Sequence, residues 1–184
     1  MKAMNLKLAA VVGAAFFAAG LANPATAGTN GANLTVSATV ISSCSIATSA
    51  VAFGSYDPVV ANLTTPINQT GTVQINCTAG ATGVFVQLGQ GLNFSGGRRM
   101  VSSTAAPTNY LNYVLYLPPD AIPGTACTYS GTQWGTTNGT DTLNPANGLW
   151  DGTVHTFNVC GVLTAGQTVK ADTYSDTVVA TVNF

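Results

Sequence analysis

Polar and apolar residues alternate with a period of two along most of the chain, which predicts β-strands rather than helices. The clearest run lies at residues 32–40, where Ala, Leu, Val, Ala and Val alternate with Asn, Thr, Ser and Thr. Further strands are predicted at residues 71–77, 84–88, 110–117, 154–163 and 174–184. Clusters of Gly, Pro, Asn and Asp separate these runs, as is typical of turns. The pattern predicts an all-β fold of six or seven strands in a β-sandwich.

The composition supports this fold class and narrows the possible partners. Charged residues make up 6% of the 184-residue chain, against about a quarter in an ordinary soluble domain, and glutamate is absent. The charged helix-forming residues that usually cover the surface of a helical bundle are nearly absent, which argues against that fold. A hydrophobic content of 46% and a net charge of −1 argue against a disordered chain. There is no basic patch to neutralise phosphates, so nucleic acid is excluded as a partner.

The first residues have the pattern of an export signal. Lys2 and Lys7 precede an apolar run at residues 8–21, and small residues follow at 25–27. This run is shorter than the roughly 20 residues that span a bilayer. We predict a signal peptide over residues 1–27, cleaved after Ala27, and an exported mature chain of a single domain.

Four cysteines, Cys44, Cys77, Cys127 and Cys160, lie in the mature part. An even number in an exported chain predicts two disulfides, and four cysteines allow three connectivities. Sequential pairing closes two loops of equal length and is the simplest choice. The cysteines are too far apart along the sequence, and His155 is the single histidine, so neither a metal site nor a C-x-x-C redox motif is predicted.

The sequence contains no catalytic constellation, and we predict neither an enzyme nor a bound cofactor. His155 lies in a strand-like run, which favours a structural or surface role. No nucleophile elbow or phosphate-binding glycine motif occurs, and the aspartates lie singly among turn residues. Asp172 and Asp176 are expected to form a structural polar cluster. Arg98 and Arg99 are expected in a solvated turn.

Both ends of the mature chain carry an alternating segment, at residues 28–40 and 174–184. A terminal strand with an apolar face is an exposed edge, and an extended segment of another chain can complete such a sheet through main-chain hydrogen bonds. Alternatively, residues 28–40 are the domain's own first strand, because sequence neighbours commonly pair.

The chain resembles the spore coat protein U domain family and, within it, the subunits of archaic (Csu-type) chaperone–usher pili. The matching stretches run in order through the mature chain: 44–46 (CSI), 51–57 (VAFGSYD), 71–78 (GTVQINCT), 111–116 (LNYVLY), 134–135 (WG) and 171–184 (ADTYSDTVVATVNF). The resemblance implies an immunoglobulin-like β-sandwich that lacks its last strand and is completed by donor-strand complementation. A periplasmic chaperone fills the gap first, and the N-terminal extension of the next subunit replaces it. The resemblance departs at Cys127 and Cys160.

Carried over to this sequence, the resemblance implies three parts: the signal peptide at 1–27, a donor-strand extension at 28–40 and a pilin domain at 41–184. The candidate donor side chains are Leu34, Val36, Ala38 and Val40. The candidate acceptor-groove and chaperone-binding residues of the C-terminal strand are Tyr174, Val178, Ala180, Val182 and Phe184.

The implied function is that of a structural pilus subunit, exported through the periplasm to the cell surface, where fibres of this family support adhesion and biofilm formation. Its partners would be a periplasmic pilus chaperone, an outer-membrane usher and homologous subunits in a homopolymer. Two alternatives remain open. One is a monomeric carbohydrate- or surface-binding β-domain that uses Trp134, Trp150 and Tyr129 in Gly-rich loops, and the other is a protective coat protein.

Overall fold

The computed structural model describes residues 27–104 and 107–184, so the predicted signal peptide lies outside the described residues except for Ala27. Internal contacts divide the chain into two units, Met1–Ala38 and Thr39–Phe184. The described part of the first unit, residues 27–38, contains no strand and is exposed throughout. No helix in the described ranges is long and apolar enough to cross a membrane.

The second unit is built from antiparallel strands, which confirms the predicted all-β class. The strands are β1 (Cys44–Ser49), β2 (Ile67–Cys77), β3 (Phe85–Leu88), β4 (Arg99–Ser102), β5 (Tyr110–Tyr116), β6 (Val154–Leu163), β7 (Tyr174–Ser175) and β8 (Ala180–Asn183). Six of them form one sheet in the order β1-β2-β6-β5-β4-β7, and β3 pairs with β8 in a second sheet.

The long pair β2–β6 is the centre of the larger sheet. Its register runs from Ile67 opposite Leu163 to Asn76 opposite Val154. Alternation along each strand points Val73 and Ile75 into the same core as Phe157, because successive side chains in a strand face opposite sides of the sheet. This core also contains residues from β3 and β5 and from the loops around Trp134 and Leu143.

The observed strands differ from the predicted ones in three places. Strands β1 and β4 were not predicted, because β1 is short and largely exposed and β4 begins at an arginine. The predicted strand at 174–184 is divided into β7 and β8, with residues 176–179 between them in no strand. The alternating residues 32–40 form no strand, so they are not the domain's own first strand in this structure.

The two disulfides connect Cys44 to Cys77 and Cys127 to Cys160, which is the sequential connectivity. The first joins opposite residues of β1 and β2 and so fixes the edge strand to the sheet. The second attaches the loop after β5 to β6. Nearby, the backbone N–H of Gly124 donates a hydrogen bond to the Thr156 carbonyl. The side-chain amide of Asn158 donates another to the Thr125 carbonyl. Cross-links over loops of this length stabilise by roughly 3–4 kcal/mol.

Arg98 is buried, and its predicted place in a solvated turn is wrong. The side chain retains only 8% of its exposure. Its guanidinium donates hydrogen bonds to the carbonyls of Leu88, Gly89 and Trp134 at 2.6–2.9 Å. A buried charge is tolerated when its donors are satisfied in this way. Arg98 therefore connects the end of β3 to the loop that carries Trp134.

Arg98→Ala is expected to lower the free energy of unfolding by about 3–5 kcal/mol, because it leaves buried carbonyls without donors. Arg99→Ala is the matched control. Its guanidinium stacks on the Tyr110 ring at 3.7 Å and donates one hydrogen bond to the Asn93 carbonyl at 2.6 Å, contacts worth about 1–2 kcal/mol together. Urea unfolding of the two variants measures the difference, and equal losses would contradict the structural role assigned to Arg98.

Candidate functional site

Among the sheet edges of the described residues that lack a strand partner, those of β1 and β8 lie close together. Strand β1 is the last strand of the larger sheet, and β8 is paired on one side with β3, in a register from Phe85 opposite Asn183 to Leu88 opposite Ala180. In the described residues no backbone hydrogen bond joins β1 to the segment 176–184. The two strands nevertheless approach each other. An unpaired edge of this kind presents free N–H and C=O groups to any added strand.

A cleft of about 290 Å³ lies between these edges, and we call it the first cleft. Residues 48–51 form one wall, and residues 176–178 with Ala180 form the other. Its floor is apolar and comes from both sheets: Val73, Leu88, Met100, Tyr113, Leu115 and Val159. Most of these floor residues belong to the buried core. The first cleft therefore opens directly onto the core.

A second cleft of about 610 Å³ is lined by residues 51–56, Pro58 and residues 169–174, together with Met100, Leu111 and Leu163. Val51, Phe53 and Met100 line both clefts. The two clefts are therefore neighbouring parts of one groove, separated at Val51 and Phe53.

The one carboxylate that lines the first cleft belongs to Asp176, and it is fully engaged. It accepts hydrogen bonds from the Tyr113 hydroxyl at 2.7 Å, the Leu92 amide at 3.0 Å and the Asn93 side-chain amide at 3.0 Å. Burial, with help from the Asp176 hydrogen bond, raises the pKa of the Tyr113 phenol, so the phenol stays a donor at ordinary pH. The cleft offers no unpaired charge to an incoming ligand.

Asp172 holds a loop beside the second cleft. Its carboxylate accepts hydrogen bonds from the Ser103 hydroxyl and from the Thr104 amide at 3.1 Å, and Lys170 lies 3.5 Å away. The Ser103 hydrogen bond is the main cause that lowers the pKa of Asp172. Asp172 and Asp176 thus bind different segments rather than forming the single polar cluster expected from the sequence.

The structure places the candidate acceptor residues as follows. Val178 and Ala180 line the first cleft and Tyr174 the second. Val182 packs against the core, and Phe184 is 57% exposed.

The candidate donor residues lie at exposed positions. Leu34 is 87% exposed, Val36 86% and Val40 82%, and Ala38 is exposed as well. Apolar side chains left in water in this alternating order are suited to burial against an apolar groove.

Sequence reasoning missed Val51 and Phe53, which line both clefts, and the two glycines that lie against Val51, Gly71 and Gly161. Val51 and Phe53 lie in a stretch quoted for the family resemblance but were given no role. Gly71 and Gly161 lie inside the predicted strands. A glycine within a strand often marks a close approach of another group, and this signal was available.

The sequence profile of the Spore Coat Protein U domain matches residues 30–181. The chain belongs to this family. It is 39% identical to Protein U of Myxococcus xanthus over 197 aligned residues, which cover the full length of both proteins.

Two solved structures are also similar to this member of the Spore Coat Protein U domain family. The first is a chain of the CsuC–CsuE chaperone–tip adhesion subunit pre-assembly complex from archaic chaperone-usher Csu pili of Acinetobacter baumannii, with 23% identity and a TM-score of 0.45. The alignment covers 79% of this chain but 40% of that one. The second is the minor tip subunit HdaB of the E. coli Hda pilus, with 15% identity, a TM-score of 0.37 and coverage of 75% and 79%.

The aromatic residues proposed as a carbohydrate platform do not form one. Trp134 is fully buried and its indole N–H donates to the Val86 carbonyl at 2.9 Å, while Trp150 is 2% exposed. Tyr129 is partly buried and bonds to Thr70 through its hydroxyl. The two tryptophans are core residues in this family member, which removes the feature on which the monomeric binding-domain alternative depended.

His155 has a structural environment. Its Nε2 lies 3.1 Å from an Asp151 carboxylate oxygen, and its ring packs edge-on against Trp150. In the described part of the chain, no group of three or more His, Cys, Asp or Glu side chains is arranged to hold a metal ion.

Ser103→Ala is expected to weaken the pH dependence of stability. Because the pKa of Asp172 is lowered in the folded chain, its contribution is present above the unfolded pKa of about 3.9 and is lost as the pH falls through the lowered folded value. Removing the Ser103 hydroxyl raises that folded pKa, so less stability is lost on acidification. Urea unfolding between pH 5 and about 2 measures the slope. Ser130→Ala, which removes a hydroxyl that donates to the Thr128 carbonyl, is the control and should keep the parent slope.

Proposed function

We propose that this chain is a structural subunit of a surface pilus assembled by a chaperone–usher pathway, and that residues 28–40 of one copy complete the groove of the next. The observation that carries the proposal is the open apolar cleft between β1 and β8. The same chain carries an exposed alternating segment that belongs to no strand.

The chemistry of the two surfaces is complementary. Residues 27–43 contain no charged side chain, and the carboxylate of Asp176 in the first cleft already has three donors. Burying a Val or Leu side chain stabilises by roughly 1.5–3 kcal/mol. Leu34, Val36, Ala38 and Val40 would together supply a large part of the stability of the joint. The seven residues 34–40 are comparable in length to the six of β1, so one added strand can pair along this edge.

The proposed pathway requires partners outside the chain. A periplasmic chaperone would cover the groove before assembly, an outer-membrane usher would bring subunits together, and homologous subunits would form the homopolymer. The C-terminal strand, from Tyr174 through Val178, Ala180 and Val182 to Phe184, would contact the chaperone and later the donor. In this proposal the chain crosses the periplasm after removal of residues 1–27, and its fibres support adhesion and biofilm formation at the cell surface.

A protective coat is the second candidate function. It is favoured by the full-length relationship to Protein U and by the description of the family. Both candidates use the same joint between copies and differ in the assembly that results. Electron microscopy of material sheared from cells distinguishes them, because fibres support the pilus and a continuous shell supports the coat.

Deleting residues 28–40 is expected to abolish polymerisation while leaving a chain that folds on its chaperone, because the groove remains and the donor is lost. Conversely, a copy of residues 28–40 attached after Phe184 through a flexible linker should give a stable monomer, since the groove is filled within one chain at high effective concentration. Gel filtration and thermal melts compare the two proteins. A truncated chain that still polymerises, or a fused chain that fails to melt at a higher temperature than the truncated one, would contradict the proposal.

Val36→Asp is expected to prevent polymerisation, because an uncompensated carboxylate would enter the apolar groove at a cost of several kcal/mol. Ser37→Asp is the matched control, since alternate residues of a strand face opposite sides and Ser37 would point away from the groove. Polymer length on non-denaturing gels measures both variants. Equal loss of polymer in the two would argue against the assigned face of the donor strand.

A further inference from the structure

Two glycines leave a hollow beneath Val51, which lines both clefts. Gly71 lies in β2 and Gly161 in the adjacent strand β6. Neither has the left-handed backbone that favours glycine, so backbone conformation does not explain their presence. Glycine weakens the interior of a strand, and its advantage here is the space that a missing side chain leaves.

Val51 occupies this hollow with both of its methyl groups. A Cβ added at Gly71 would lie 2.7 Å from Val51 Cγ2, and one added at Gly161 would collide with Val51 Cγ1 and lie 3.1 Å from Phe53 Cζ. A side chain at either position would therefore displace Val51, and one at Gly71 would also lie 2.9 Å from the Ser49 carbonyl oxygen. The hollow fits one apolar side chain of about this size.

The segment that carries Val51 is held by side chains alone. Among the hydrogen bonds of the described residues, none involves a backbone group of residues 51–56, although the β1–β2 ladder runs as far as Ser49. Val51 and Phe53 are partly buried and separate the two clefts. A segment without backbone hydrogen bonds can move at low cost compared with a paired strand.

We propose that Val51 is a removable plug: it fills the hollow at Gly71 and Gly161 in the free chain and leaves when the donor strand of a second copy enters, placing one of its own side chains there. This inference rests on the proposed donor-strand joint. The occupant is a second copy because residues 33–41 offer exposed apolar side chains in alternation and no charge. That chemistry matches the first cleft, whose lining carboxylate, Asp176, is already engaged.

A plug of this kind reduces the population of chains ready to receive a donor. When only a fraction of the chains is able to bind the donor, the apparent affinity equals the intrinsic affinity multiplied by that fraction. A ligand then shifts the equilibrium by its preference for the open state. Weakening the plug should therefore speed donor binding, whereas a change at an exposed residue just beyond this segment should not.

The test uses the full mature chain, residues 28–184, carrying Val36→Asp so that its own extension does not compete. The probe is a fluorescein-labelled peptide of residues 28–43, and its association rate is followed by fluorescence anisotropy. Val51→Ala should raise the rate about tenfold, the factor that corresponds to roughly 1.4 kcal/mol. Val59→Ala is the matched control, because Val59 is 74% exposed and lines neither cleft, and it should leave the rate unchanged.

A second measurement does not depend on a variant at Val51. In the free chain, proton NMR should show close contacts between the Val51 methyls and the α-protons of Gly71 and Gly161, and saturating peptide should abolish them. Equal association rates for Val51→Ala and Val59→Ala, or contacts that persist in the bound state, would overturn the plug and leave the donor-strand joint intact. A peptide that binds none of these chains would overturn the joint and the plug together.

Discussion

One physical constraint underlies the rest of this structure. A β-strand edge that lies above an apolar core requires a partner strand. Strand β1 and the C-terminal strand β8 each lack a neighbour on the side that faces the first cleft. Backbone N–H and C=O groups there require hydrogen-bond partners, and the apolar floor beneath them gains stability when it is covered. One added strand of alternating pattern satisfies both requirements. The proposed joint between copies would meet both requirements at once.

An open groove needs a frame that stays folded around it. The long β2–β6 pair and the Cys44–Cys77 disulfide hold one wall. Arg98 holds the other side by donating to backbone carbonyls at the end of β3 and at Trp134. Because β3 is the partner of β8, the position of β8 depends on this buried guanidinium. The groove is thus shaped by covalent and charge-assisted links, which tolerate a missing strand better than apolar packing alone.

The polar chemistry of the described chain serves structure. Asp176 and Asp172 each accept hydrogen bonds from neighbouring loops, Asp151 accepts them from Thr153 of its own turn, and the two tryptophans are buried. Membership of the Spore Coat Protein U domain family is consistent with a protein whose function lies in assembly. In the proposed joint, Val51 would occupy the hollow at Gly71 and Gly161 until a donor side chain replaces it.

Alternation along the chain was sufficient to predict the all-β class and five of the segments that contain strands, because a period of two directly reflects which side chains face a core. The family resemblance seen in the sequence likewise rests on local stretches such as 71–78 and 171–184. Only the tertiary structure decided that Arg98 is buried, that both tryptophans are core residues and that β1 lies beside β8. These facts depend on contacts between residues far apart in sequence, as does the meeting of Val51 with Gly71 and Gly161. Sequence periodicity indicates which face of each strand is buried. The groove depends instead on which strands become neighbours and which edges remain unpaired.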